Sequence, residues 1–143
     1  MNYEEKLQQL RARRRIADEQ IEIIRLVKQR VHEQHLDRLT SSQKRAPSAA
    51  LAQGRDPQGR IEALERFFKE VRERGREGHG WREGGRLEAV ESDINDLLDK
   101  AEAEIEKDAL ITYYVHALEA WARLKSEWEE GAQCGNDTSS REP

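Results

Sequence analysis

The sequence has little of what builds a disulfide-linked, secreted or membrane-spanning protein. Its one cysteine, Cys134, cannot form a disulfide within the chain, so we expect a reducing compartment. The N-terminal residues lack the apolar run of a signal peptide, and no stretch approaches the roughly 18 apolar residues of a membrane span. These absences predict a cytoplasmic protein that makes no contact with a membrane.

Large apolar side chains are also scarce. Charged residues make up 38% of the 143 residues, and aromatic residues make up 6%. A chain of this length is sufficient for a single domain, but this composition does not suit a thick spherical core. Narrow apolar seams between long helices need fewer large side chains, so the composition favours an elongated helical protein.

Apolar residues recur at alternating spacings of three and four along most of the chain. This period predicts an all-α protein, an elongated antiparallel helical bundle or coiled coil of about four helices. The predicted helices are a long helix over 3–39, a shorter helix over 60–74, and two C-terminal helices over 87–107 and 109–130. The apolar pattern slips in phase between the last two, so either a new helix starts there or one continuous helix absorbs a stutter.

The first predicted helix has two apolar stripes. The first follows a heptad and consists of Tyr3, Leu7, Leu10, Ala17, Ile21, Ile24 and Val31. A second stripe consists of Ile16, Ile23 and Val27 and is predicted to widen the buried seam in the middle of the helix. Arg14, Lys28 and His35 interrupt the heptad at positions that should be apolar. They either set register or oligomeric state, or pack their stems and extend their polar ends to solvent.

Three segments of other composition divide the chain. Residues 40–59 contain two of the three prolines and many small polar residues, which predicts a linker, either without regular structure or with a short helical turn at Pro47–Gln53. Residues 75–86 contain five of the nine glycines and predict a reversing hinge, in which Gly75 ends the preceding helix. Residues 132–143 are polar and predict a disordered tail. We therefore expect one helical domain over 1–131.

The charge is distributed unevenly, although the net charge is only −4. Residues 1–86 contain 20 Lys or Arg against 14 Asp or Glu, whereas residues 87–143 contain 5 against 15. Opposite charge favours antiparallel packing of the first helix on the C-terminal helices, within one chain or between two copies. A basic helix can also bind phosphates of nucleic acid. The candidates for such contact are Arg11, Arg13, Arg14 and Arg15.

Aromatic residues are the main candidates for binding a protein partner. Tyr114, Trp121 and Trp128 follow heptad spacing on the last predicted helix, which first indicates a core stripe. A tryptophan near a helix end can also anchor an interface, because it buries a large area and keeps one hydrogen-bond donor. Trp81 lies in the hinge, where we expect it to fold back onto the bundle. With its neighbour Arg82, it is a further candidate for contact with a partner.

No catalytic, cofactor-binding or metal-binding motif is present. His32 and His35 are three residues apart in HEQH, whereas the zinc motif HExxH places its histidines four apart. The glycines match neither the dinucleotide-binding nor the phosphate-binding fingerprint. We therefore expect no metal, no cofactor and no enzymatic activity.

One partial resemblance points to an enzyme. Leu10–Arg11, Asp18 and Asp56–Arg60 are similar to the arginine-bearing first helix and the DxxRE-like stretch of helical chorismate mutases. The resemblance implies a small all-helical enzyme whose basic residues grip two carboxylates. The sequence departs from that pattern, because Asp56–Arg60 is longer than DxxR by one residue and Ile61 stands where Glu is required. This enzyme is the remote alternative.

The sequence as a whole predicts a non-enzymatic helical protein–protein interaction module, such as an adaptor, assembly factor, inhibitor or regulator. Its partner is another protein or a second copy of the chain in a homodimer. The alternative is a nucleic-acid-associated helical protein that uses the arginine-rich first helix and the Arg/Gly/Trp loop. Steep salt dependence of binding distinguishes the alternative from the first expectation.

Overall fold

A computed structural model describes residues 2–73 and 80–141, with side chains as far as Trp128. In this part of the chain all regular structure is helical, which confirms the all-α class. The α-helices are α1 (Tyr3–Gln34), α2 (Ser41–Leu51), α3 (Pro57–Glu73), α4 (Arg86–Lys100) and α5 (Glu104–Arg141). Single turns of 3-10 helix occur at Leu36–Arg38 and Gly80–Arg82. No described helix is both long and apolar enough to cross a membrane.

The first helix ends about one turn earlier than the predicted helix over 3–39. His35 has a φ of +53°, in the left-handed region, and its N–H donates to the carbonyl of Val31. The guanidinium of Arg86 donates to the carbonyls of Gln34 and His35. A helix end leaves such carbonyls without partners, so a contact from the start of α4 stabilises the end of α1.

The segment predicted to be a linker, residues 40–59, contains the helix α2. Thr40 and Gln43 form a capping box, in which each side chain accepts a hydrogen bond from the other's backbone N–H. Pro47 lies inside this helix, and because proline has no N–H, the carbonyl four residues earlier loses its helical donor. That carbonyl belongs to Gln43, and it accepts a hydrogen bond of 2.8 Å from the Trp81 indole. The cost of the proline is therefore offset by Trp81, which is 38 positions after Gln43 in the sequence.

Trp81 lies in the core, as the hinge interpretation predicted. Its side chain is buried, and its ring meets Phe67 edge to face at 6.3 Å between centroids. Gly84 and Gly85 have φ values of +62° and +72°, which suit glycine, and they lead into α4. The predicted helix end at Gly75 lies outside the described residues.

The C-terminal segment consists of two helices rather than one continuous helix. The chain leaves helical conformation over residues 101–103, ahead of the predicted phase slip. The last helix continues past the predicted end at 130 to Arg141. The disorder expected for the tail 132–143 stays a prediction.

The first helix lies antiparallel to α4 and parallel to α5. The contacts that show this are Glu19 with Lys100 and Arg30 with Asp93 for α4, and Arg15 with Glu106 and Lys28 with Trp121 for α5. The predicted antiparallel packing on the C-terminal helices is therefore right for α4 and wrong for α5. The physical reason is the turn at 101–103, which reverses the chain and gives α4 and α5 opposite directions.

Candidate protein-binding surface

The heptad stripe of α1 lies largely on the surface, although it was predicted to be the seam. Tyr3 is 78% exposed, Leu10 is 60% exposed and Ile21 is 62% exposed. The buried face of α1 is formed instead by Ile23, Val27 and Val31, so it includes most of the second stripe. At 3.6 residues per turn the two stripes point roughly 120° apart around the helix axis. We call the part of the heptad stripe outside the core the outer stripe; Tyr3, Leu10, Ala17 and Ile21 are exposed, and Leu7 and Ile24 are partly exposed.

An apolar groove lies between the C-terminal half of α1 and α5. Its volume is about 540 Å³. It is lined by Lys28, Val31, His32, Trp121, Leu124, Lys125 and Trp128. Trp128 is 76% exposed and Leu124 is 49% exposed, so two large apolar side chains face solvent together. The charged residues of the lining are both lysines, which gives the groove an apolar floor and a basic rim.

Lys28 joins the outer stripe to the groove. It continues the heptad four residues after Ile24, and its ammonium nitrogen lies 4.5 Å from the centroid of the Trp121 ring. Such an arrangement is a cation–π contact. The Lys125 ammonium is 3.5 Å from a carboxylate oxygen of Asp37, which holds it against the end of α1. The outer stripe and the groove therefore form one extended surface.

The aromatic heptad of α5 leaves the core as the helix proceeds. Tyr114 is fully buried, Trp121 is half-buried and Trp128 is mostly exposed. The core interpretation of this stripe is therefore confirmed at its start, and the interface interpretation stays a prediction for its exposed end. Of the predicted partner-binding residues, the structure brings Trp121 and Trp128 together in the groove. It places Tyr114 and Trp81 in the core, and Arg82 at the exposed end of a 3-10 turn whose other two residues are buried.

A buried polar network fixes α1, α4 and α5 relative to one another. The Arg30 guanidinium donates to both carboxylate oxygens of Asp93 at 2.8 Å each, and the Tyr114 hydroxyl donates to the same carboxylate at 2.6 Å. Burial raises the pKa of Tyr114 well above its ordinary value, and the charge of Asp93 adds to this effect. The hydrogen bonds to Asp93 likewise raise the pKa of Arg30. Tyr114 thus stays protonated at neutral pH, and both oxygens of the Asp93 carboxylate accept hydrogen bonds, so the network orients the three helices.

The sequence interpretation missed this network, although a signal was present. Asp93 lies on the same helical face as Val90, Ile94 and Leu97, all of which are buried. An acidic residue on an apolar face needs a buried partner of opposite charge, because isolated buried charges are costly. The helical period therefore indicates that Asp93 has a buried partner of opposite charge. It does not show which arginine that partner is.

All four arginines of the basic cluster of α1 are exposed, and one of them, Arg15, is paired with the C-terminal segment. Arg15 donates to the buried carboxylate of Glu106 and lies 3.6 Å from Glu102. The hydrogen bond from Arg15 holds the pKa of Glu106 below its ordinary value. Arg11, Arg13 and Arg14 are exposed. The basic first helix thus pairs in part with the acidic C-terminal segment of its own chain.

Three basic residues that a helical enzyme of this kind could use to grip carboxylates, Arg11, Lys28 and Arg60, lie in separate surroundings. Arg60 donates to both oxygens of Asp108 at 2.8 and 2.6 Å. Lys28 lies over Trp121, whereas Arg11 is 17 residues earlier on the same helix, about 25 Å along its axis. Across the described residues, no group of three or more His, Cys, Asp or Glu side chains has the arrangement of a metal site.

Comparison with known proteins adds no relative to this description. No family model, curated protein or solved structure matches the chain. The groove and the outer stripe are therefore the surfaces from which a function is proposed.

Proposed function

We propose that the protein is a non-enzymatic helical protein–protein interaction module, which acts as an adaptor, assembly factor, inhibitor or regulator. The observation that supports this proposal is the exposure of Trp128 and Leu124 over the apolar groove. Contiguous exposed apolar surface on a folded protein marks an interaction site more often than scattered single residues do. Tryptophan is also among the residues that contribute most to binding energy in protein interfaces.

The shape and charge of the groove define the chemistry of its partner. Two helices, α1 and α5, form its walls, and grooves of this kind receive the apolar face of an amphipathic helix. The charged residues of its lining, Lys28 and Lys125, are both basic, and His32 also lines the groove. The complementary partner is therefore a helical segment with an apolar or aromatic anchor and acidic neighbours.

The test compares capture of partner proteins by three versions of the full chain. The groove variant combines Leu124→Ala with Trp128→Ala, and the control is Ile105→Ala. Ile105 is also on α5 and is 65% exposed, but it does not line the groove. We expect proteins that the wild type and the control retain equally, and that the groove variant loses while its helical content is unchanged. Equal retention by all three versions would contradict the proposal.

Nucleic-acid binding is a second candidate, favoured by one observation. Arg11, Arg13 and Arg14 are exposed. They follow or end a stretch in which, apart from Leu7, every residue from Asn2 to Arg11 is exposed. If these arginines bind phosphates, affinity for a labelled duplex or single strand falls steeply with salt, by a logarithmic slope of about −0.9 per contact on duplex DNA. Replacing all three by alanine should then flatten the slope. Absence of binding at low salt would exclude this candidate.

A further inference from the structure

We infer that the outer stripe of α1 pairs with the outer stripe of a second copy, forming an antiparallel homodimer. This inference rests on the proposed function, because it names the partner for one part of the interaction surface. The stripe and its two polar interruptions follow a heptad from Tyr3 to Lys28, with three and four residues alternating. This repeat is the seam of a coiled coil, yet Tyr3, Leu10 and Ile21 are exposed in the single chain.

The antiparallel alignment matches the stripe to itself by size. With a two-fold axis between Arg15 and Ile16, each layer contains one residue of each copy. The layers pair Leu7 with Ile24, Leu10 with Ile21, Arg14 with Ala17, and Tyr3 with Lys28, and each pair occurs twice. The longest interrupting side chain thus faces the smallest residue of the stripe. The second interrupting cation faces an aromatic ring, which permits a cation–π contact.

The charges that flank the stripe favour the same alignment. The flanking positions on the side away from the bundle alternate in sign: Glu4, Arg11, Asp18 and Arg25. Antiparallel pairing in this register places Glu4 near Arg25 of the second copy, and Arg11 near Asp18 of the second copy. All four contacts across the dimer are then attractive. Arg25 pairs with Glu22 of its own helix at 3.0 Å but remains exposed, so it is accessible to the second copy.

A parallel dimer of the same stripe would be disfavoured. In-register parallel helices place identical residues in the same layer, so Arg14 would face Arg14 and Lys28 would face Lys28. Lys6 would also approach Arg11 of the second copy. Like charges at such positions select against the wrong arrangement. The interruptions at Arg14 and Lys28 therefore set the orientation of the pair.

The same register supplies an occupant for one end of the groove. Tyr3 of the second copy reaches Lys28, which lies at the junction of the outer stripe and the groove. Glu4 and Glu5 follow in the first turn of that helix. An aromatic anchor with two acidic neighbours has the partner chemistry that the basic, apolar groove requires. The paired segment, Tyr3 to Lys28, is 26 residues or about 39 Å long.

Disulfide trapping in the full chain tests the orientation directly. In a Cys134→Ser background, Leu10→Cys and Ile21→Cys proteins are mixed and mildly oxidised. The antiparallel register predicts the mixed disulfide between residues 10 and 21, whereas a parallel dimer gives a disulfide of Leu10→Cys with itself. Ile105→Cys, also exposed, replaces Ile21→Cys as the control for random collision. The parallel product, or no excess over the control, would overturn the inference.

Sedimentation of charge variants tests the register. Arg11→Glu places like charges together twice per dimer, and since exposed pairs are individually weak, we expect about a tenfold rise in the dimer dissociation constant. Asp18→Arg added to Arg11→Glu should restore dimerisation. The control is Arg13→Glu, on the other flank, where the same register faces it with the uncharged Gln20. Equal effects of the two glutamate variants would contradict the register.

The outcomes also separate this inference from the proposed function. A wild-type protein that is monomeric at every concentration, yet loses a captured protein on substitution of Trp128, retains the proposed function and refutes the homodimer. A trapped antiparallel dimer with no other protein captured supports the homodimer alone.

Discussion

Replacing Asp93 by alanine should lower the free energy of unfolding by about 3–5 kcal/mol. The Asp93 carboxylate is buried and accepts three hydrogen bonds, two from the Arg30 guanidinium and one from the Tyr114 hydroxyl. Alanine leaves that guanidinium, whose side chain is only 16% exposed, without its principal acceptor. It also leaves a fully buried phenol without an acceptor.

The magnitude follows from the state of each group after the change. Removal of one member of a buried pair costs about 3–5 kcal/mol, and an unsatisfied buried hydroxyl alone costs about 1–3 kcal/mol. These costs do not add, because both arise from loss of the same carboxylate. Arg30 keeps Glu33 at 3.6 Å and some contact with water, so we expect a loss near the lower limit, about 3 kcal/mol.

Urea unfolding followed by helical circular dichroism measures this loss, at one fixed protein concentration because association would contribute to stability. With a slope of about 2 kcal/mol per molar urea, the midpoint should fall by about 1.5 M. The control is Asp96→Ala, an exposed aspartate on the same helix, which should change stability by no more than about 0.5 kcal/mol. A loss below about 1 kcal/mol for Asp93→Ala, at an unchanged slope, would refute the reasoning.

Three further changes give distinct outcomes in the same unfolding assay. Trp81→Ala should cost about 3–5 kcal/mol, because it empties a core site and removes the donor to a carbonyl of α2. Since Arg15 lowers the pKa of Glu106, that carboxylate stabilises the fold above its unfolded pKa of about 4.3, and the contribution is lost as pH falls through the folded pKa. Glu106→Gln should therefore lower the midpoint at neutral pH but not in acid. Gly54→Ala should destabilise the fold, because its added Cβ would lie 2.3 Å from the Arg60 backbone nitrogen; an unchanged midpoint would contradict this.

The sequence pattern revealed both stripes of α1 but could not show which stripe is buried. Both have helical spacing and large apolar residues, so periodicity weighs them equally. The structure buries the second stripe because α4 and α5 pack on the face that contains Ile23 and Val27. That choice depends on the turn at 101–103, which directs α5 alongside α1. A period measured within one helix contains no information about the direction of its neighbours.

The start and length of the helix α2 were missed for a related reason. Pro47 and the small polar residues around it are typical of a linker, and local propensity alone supports that interpretation. The compensating hydrogen bond comes from Trp81, far along the chain. Helix propensity predicts structure poorly where a tertiary contact donates a hydrogen bond to the carbonyl that the proline leaves without a donor.

The candidate surface could be predicted in part. Heptad spacing identified Trp121 and Trp128 as candidates, and it marked Lys28 as a polar interruption. It could not show that Lys28 lies over Trp121, or that Trp128 is beyond the core, because both depend on how far α5 extends along α1. Spacing determines which residues share a face, whereas exposure depends on where the neighbouring helix ends.

The location of the exposed apolar residues is stronger evidence for an interface than their number. Single large apolar residues on a surface are normal and need no explanation. Of the six such residues exposed among those described, Tyr3, Leu10 and Ile21 lie on the outer stripe, and Leu124 and Trp128 line the groove. Only Ile105 lies apart from both. A chain that is 38% charged has ample polar residues for these positions, so the concentration of exposed apolar residues on one extended surface supports the proposed interaction face.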